Sequence, residues 1–259
     1  MLASLKRAVI NTPLQPIAEH LILYPSARLQ GLIHPKLKKL YTDDYRLDRA
    51  VEKLIEPHFN CIDIGCHIGS MLGKFVRLAP EGAHVAIEPT PEKAQYLKRK
   101  FPNVTIHQLA LSDAPGKAEF FINPDKQGFN SLQQRDDEYA QTEAVSVDVE
   151  TLDRVLPPEY AAQLIKMDVE GFELSVLKGA NGFVERCRPT IIFESGPARP
   201  ASDGVFDGDD LFHYITENLN YTVYSPAAYL RGEGPMSLEQ HRAHRTYPFE
   251  GFNFIALPT

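Results

Sequence analysis

Residues 60–88 read NCIDIGCHIGSMLGKFVRLAPEGAHVAIE, and this stretch decides the fold. Its first apolar run, 61–64, has the length of a buried strand and ends at a Gly65 turn. SMLGKFVRLAP follows with apolar residues at helical spacing, and Pro80 ends it. AHVAIEP is then a second strand, so the stretch is one βαβ unit. Such a unit implies parallel strands joined by a crossover helix.

The same alternation extends outward. PEKAQYLKRKF has helical spacing, VTIHQLAL reads as a third strand, LIKMDVEG as a fourth and PTIIFESG as a fifth. FELSVLKGANGF predicts a helix with Gly179 and Gly182 as stop signals, and DLFHYITENL predicts another. YTVYS and FNFIALP are the last strand candidates. Upstream, TDDYRLDRAVEKLIEP is a helix with Thr42 as candidate N-cap, acids in its first turn and a stop at Pro57. The pattern predicts an α/β fold: a doubly wound, mostly parallel sheet with helices on both faces, over residues 43–259. Residues 1–42, with four prolines and the basic stretch PKLKKL, form a short helical N-terminal extension. That basic stretch reads as a solvated face.

Composition is that of an ordinary globular chain: 259 residues, 43% hydrophobic, 24% charged, net charge −7. The acid excess disfavours nucleic acid as a partner. Cys61, Cys66 and Cys187 are odd in number and form no C-x-x-C pair, which argues against a disulfide framework or zinc site. With no signal-peptide pattern and no apolar run of membrane-spanning length, a cytoplasmic location is expected.

In doubly wound sheets ligands bind beyond the carboxyl ends of the strands. Asp63-Ile-Gly65-Cys-His67-Ile-Gly69 follows the first strand. It is not a dinucleotide fingerprint, because His67 stands where the second glycine belongs. Asp63 would repel phosphate and attract a cation. Glu88, ending the second strand, is placed to accept ribose hydroxyls. The two acids together favour a nucleoside cofactor carrying a positive group.

D-x-G-x-x-x-G followed by an acid on the second strand resembles the S-adenosylmethionine site of class I methyltransferases. Further blocks narrow the likeness: ALSD (110–113), GFNSL (128–132), VETLD (149–153), IKMDVEGFEL (165–174) and LKGA (177–180). In this order they resemble the FkbM-type methyltransferases, over about residues 43–257. Members of that family methylate hydroxyl oxygens of polyketide or sugar-containing metabolites. The resemblance implies that Asp63, Gly65 and Gly69 hold the methionine end of S-adenosylmethionine, with His67 in the same loop, and that Glu88 holds the ribose. Ala110 and Leu111 would lie along the adenine, and Asp168 and Glu170 would face the methyl-transfer site. Cys66-His67 departs from the family's usual Ala-Asn.

An alcohol is a poor nucleophile at neutral pH, so a proton acceptor is needed. Asp168 and Glu170 are the expected catalytic pair and His67 a third candidate; as acids near a helix start they would also suit its dipole. Asp168, Glu170 and Glu194 could hold Mg²⁺ or Ca²⁺, but the sequence does not show that they converge, and no metal is expected. The expected function is O-methylation of a small hydroxyl acceptor. A nucleotide-cofactor oxidoreductase and a non-catalytic cofactor-binding subunit are the alternatives. A G-x-S-x-G hydrolase is disfavoured, because Ser195 lies in F-E-S-G.

Overall fold

The computed structural model describes residues 8–19, 24–122, 143–197 and 208–259. Seven strands form the central sheet in the order β3 (Thr105–His107), β2 (Val85–Ile87), β1 (Cys61–Ile64), β7 (Leu164–Met167), β8 (Thr190–Glu194), β10 (Asn253–Pro258) and β9 (Tyr221–Tyr224). The pairs from β3 to β8 are all parallel, and β10 runs antiparallel to both of its neighbours. Strand order reverses direction beside β1, the switch point where ligands bind in such sheets. The predicted doubly wound α/β fold is the observed one.

Every residue of β1 is buried, as a strand covered on both faces must be. The two-residue period divides the sheet's side chains into two cores. Ile62, Ile64, Ile165, Met167, Ile191, Phe193 and Phe254 join one cluster; Cys61, Leu164, Ile192 and Ile255 join the other. The second cluster is closed by Leu47, Ala50 and Val51 of α1 (Asp43–Leu54) and by Phe75 of α2 (Ser70–Leu78). Each large apolar side chain fully buried this way contributes about 1.5–3 kcal/mol.

The structure corrects three local expectations. VTIHQLAL is not one strand but two: β3 joins the central sheet, while β4 (Ala110–Leu111) joins a second sheet of order β4-β6-β5. In that sheet β5 (Gly116–Ile122) and β6 (Glu143–Glu150), which the helix–strand alternation does not predict, pair antiparallel around Phe120, Val147 and Val149. Thr42 does not cap α1 with its side chain; its hydroxyl instead donates to the carbonyls of Lys38 and Lys39. FELSVLKGANGF forms two helices, α4 (Glu173–Lys178) and α5 (Asn181–Cys187), with Gly179 at the break and Gly182 inside the second. α3 (Pro91–Lys100) matches its predicted place. The GFNSL block lies outside the described residues.

Residues 8–19 and 24–42 lie against this scaffold. Ile10 is buried among Cys66, Ile68, Leu72 and Phe101, and the Asn11 amide donates to the Lys100 carbonyl. Lys74 of α2 pairs with Asp48 of α1 and, at 3.6 Å, with Glu19; Asp48 also accepts the Tyr24 hydroxyl.

Candidate active site

A cleft of about 810 Å³ opens at the carboxyl ends of β1, β2 and β7. Its chemistry follows from strand register. Asp63 on β1 is the lateral partner of Lys166 on β7, so both side chains project from the same face of the sheet. Asp168 lies two residues beyond Lys166 and points the same way. The Lys166 ammonium therefore stands between two carboxylates, 4.0 Å from Asp63 and 3.1 Å from Asp168.

Asp63 forms the floor. It has no exposed surface, and neither of its oxygens accepts a hydrogen bond from the described residues. Burial raises its pKa to about 6, with Lys166 opposing the rise. Asp168 lines the wall with a side chain 36% exposed. Burial opposes its ionisation, but the Lys166 charge and hydrogen bond, with a further hydrogen bond from Glu194, hold its pKa below the usual range. Glu194, at the end of β8, moves the other way: burial and the nearby charges of Asp168 and Glu170 raise its pKa well above normal. The two shifts run in opposite directions, so within this hydrogen-bonded pair charge is favoured on Asp168 over Glu194.

The loop after β1 is tightly built. Gly65 has φ +73°, and a Cβ there would sit 1.9 Å from the Asp168 carbonyl, so only glycine fits beside β7. His67 also adopts a left-handed backbone, φ +52°. The strand-end position that the sequence leaves without a glycine does require a glycine-like conformation. Its N–H donates to Glu88 Oε2 at 2.9 Å, while the Thr90 N–H reaches Glu88 Oε1 at 3.0 Å. Glu88 is buried, which raises its pKa, and each oxygen keeps a lone pair for a further donor.

Asp63, Gly65, His67, Glu88, Ala110, Leu111, Asp168 and Glu170 all line this one cleft. Gly69 does not. It packs under α3, where a Cβ would meet Leu97 and Phe101 at 2.6–2.8 Å, so its role is helix packing. Glu170 takes φ +56° and Gly171 φ +102°, placing a second left-handed turn opposite the first. Glu173 accepts from a backbone group here: its Oε1 takes the Val169 N–H at 3.0 Å, and burial lifts its pKa to about 7. No three His, Cys, Asp or Glu side chains among the described residues are grouped to hold a metal ion.

Sequence reasoning misses Lys166 and the wall built by the N-terminal segment. Lys166 was legible, since a lysine two places before Asp168 in a strand must share its face. The wall was not: Tyr24, Tyr41 and Tyr45 border the cleft, and their approach depends on how residues 8–42 pack. Tyr24 and Tyr45 meet edge to face at 4.8 Å.

A cofactor with positive charge and a ribose fits this donor set. The floor carries the orphaned Asp63 oxygens, Glu88 retains acceptor capacity, and the apolar side is formed by Leu109, Ala110 and Leu111.

Comparison with known proteins agrees. The family model described as the Methyltransferase FkbM domain matches residues 63–223. No curated protein matches the chain. Among solved structures, a methyltransferase FkbM from Methylobacillus flagellatus KT is 19% identical with a TM-score of 0.49, over 78% of this chain and 44% of its own. A TehB-like SAM-dependent methyltransferase from Corynebacterium glutamicum is 14% identical with a TM-score of 0.42, over 82% and 85%. A precorrin-6y C5,15-methyltransferase from Geobacter metallireducens GS-15 is 14% identical with a TM-score of 0.41, over 70% and 73%. The chain spans less than half the length of the first of these.

Proposed function

The chain belongs to the FkbM methyltransferase family, and on that premise we propose that it is an S-adenosylmethionine-dependent O-methyltransferase acting on a small hydroxyl acceptor. The cofactor supplies a methyl group made electrophilic by its sulfonium. Asp63, Gly65 and His67 would hold its methionine end, Glu88 its ribose, and Ala110 with Leu111 its adenine.

The observation that carries the reading is the Asp63–Lys166–Asp168 array, whose exposed end at Asp168 faces the cleft. Asp168 is ionised and solvent-accessible, and it can accept a hydrogen bond from an acceptor hydroxyl and orient that oxygen. A carboxylate of lowered pKa is a weak base towards a free alcohol. It would suffice because methylation of the oxygen, with the cofactor's methyl–sulfur bond broken and the demethylated cofactor as leaving group, makes the hydroxyl proton strongly acidic, so Asp168 would receive it late. Lys166 fixes Asp168 and balances the charge its carboxylate carries before the proton arrives. Glu170 borders the same space and would position the acceptor, with His67 beside Asp168.

The acceptor's charge class follows from the lining. Asp43, Asp44, Asp63, Glu88, Asp168 and Glu170 border the cleft against Lys74, Lys93 and Lys166, and Lys74 is already committed to Asp48 and Glu19. Such a field repels phosphate, which favours a neutral or cationic polyhydroxylated metabolite over nucleic acid. The family match leaves the oxidoreductase alternative without support.

The test is transfer of labelled methyl from S-adenosylmethionine to a panel of neutral sugars, polyketide alcohols, phosphorylated sugars and RNA. Label is expected in a neutral hydroxyl compound, and Asp168→Asn is expected to slow transfer by about 10²–10⁴-fold with cofactor binding retained. Transfer to phosphorylated acceptors or RNA alone would overturn the acceptor assignment. Equal loss of cofactor binding in Asp168→Asn would overturn the role of Asp168.

A further inference from the structure

The chain's charge is unevenly divided. Residues 1–42 hold six of its 27 Lys and Arg but one of its 34 Asp and Glu, a net +5 against −12 for the remainder. Exposed apolar side chains follow the same division. Of the six large ones among the described residues, Leu14, Ile17, Leu29, Leu32 and Ile33 fall in this segment and Tyr247 alone lies elsewhere.

Leu29, Leu32 and Ile33 are spaced i, i+3, i+4 in the helix Tyr24–Ile33 and so share one face. They are 58%, 72% and 60% exposed. Other contacts hold that face outward. The Tyr24 hydroxyl is bound to Asp48, and Gly31 is buried so closely that a Cβ there would stand 3.1 Å from Lys38 Cγ. The chain then turns and presents Lys36, Lys38 and Lys39 at the surface, of which Lys39 pairs with Glu250.

An apolar ridge bordered by ammonium groups is complementary to an anionic bilayer. The apolar side chains enter the boundary between headgroups and acyl chains, and the lysines meet lipid phosphates. A second copy of this chain is a poorer occupant, because symmetric pairing would bring two +5 segments together. We propose that residues 24–39 form a docking surface for an anionic lipid bilayer, on which the protein lies peripherally. None of the helices among the described residues is long and apolar enough to cross a membrane.

Co-sedimentation with vesicles of phosphatidylcholine, alone or mixed with phosphatidylglycerol, tests this. The full chain is expected to sediment with the mixed vesicles, less so at high salt, and to stay in solution with phosphatidylcholine alone. Leu32→Glu with Ile33→Glu, and separately Lys36→Glu with Lys38→Glu, are expected to weaken sedimentation by about tenfold or more. Both variants should bind S-adenosylmethionine as the parent does, which controls for folding. Failure of the parent to sediment with the mixed vesicles, or sedimentation unchanged in both variants, would overturn the proposal. So would a concentration-dependent dimer abolished by Leu32→Glu with Ile33→Glu and no vesicle binding, which would assign the face to a second copy.

Discussion

Asp63 is the residue on which stability and function pull apart. Its carboxylate is fully buried, its nearest counter-charge Lys166 stands 4.0 Å away, and its folded pKa of about 6 lies above that of an unfolded aspartate. The native state therefore keeps a proton that the unfolded chain has lost at intermediate pH. The stability linked to that proton is fully present below about pH 4 and is lost as pH rises through about 6. Asp63→Asn is accordingly expected to gain stability relative to the parent between those limits, by up to about 3 kcal/mol. Urea unfolding of both proteins at about pH 4 and about pH 7 measures it; an identical difference at the two pH values would contradict the buried-charge account. The sequence places Lys166 on the same strand face as Asp168, but its pairing with Asp63 depends on the β1–β7 register that only the folded sheet provides.

At the scale of elements, most strands of the central sheet could be read from short apolar runs, because strands buried on both faces leave that mark. The second sheet was less visible. β6 carries alternating Val145, Val147 and Val149, a half-buried strand signal, but it sits outside the helix–strand rhythm that organises the rest. Two residues after β3, the chain leaves the central sheet for β4, a break that continuous apolar character conceals. The N-terminal segment was legible only as helical and proline-rich. Its attachment through the Lys74, Asp48, Glu19 and Tyr24 cluster is a tertiary fact. That cluster is buried, and removing Asp48 leaves Lys74 with only the longer 3.6 Å pair to Glu19 and the Tyr24 hydroxyl without its acceptor. Asp48→Ala is therefore expected to cost about 3–5 kcal/mol, read as a lowered urea midpoint. A loss within about 0.5 kcal/mol, the range of ordinary surface substitutions, would show that the cluster does not anchor the segment.

Across the whole molecule, acidic and basic residues are sorted rather than mixed. The net charge of −7 combines a carboxylate-rich cleft with an N-terminal segment of opposite sign. The cleft's sign suits a sulfonium cofactor and a neutral or cationic acceptor. The central claim is that this cleft is built for S-adenosylmethionine. Titration calorimetry of the full chain with S-adenosylmethionine, its demethylated product and NAD addresses it directly. The account predicts saturable binding of the first two, severely weakened by Asp63→Ala and Glu88→Ala, and no comparable binding of NAD. Binding of NAD with neither of the sulfur compounds bound would contradict it.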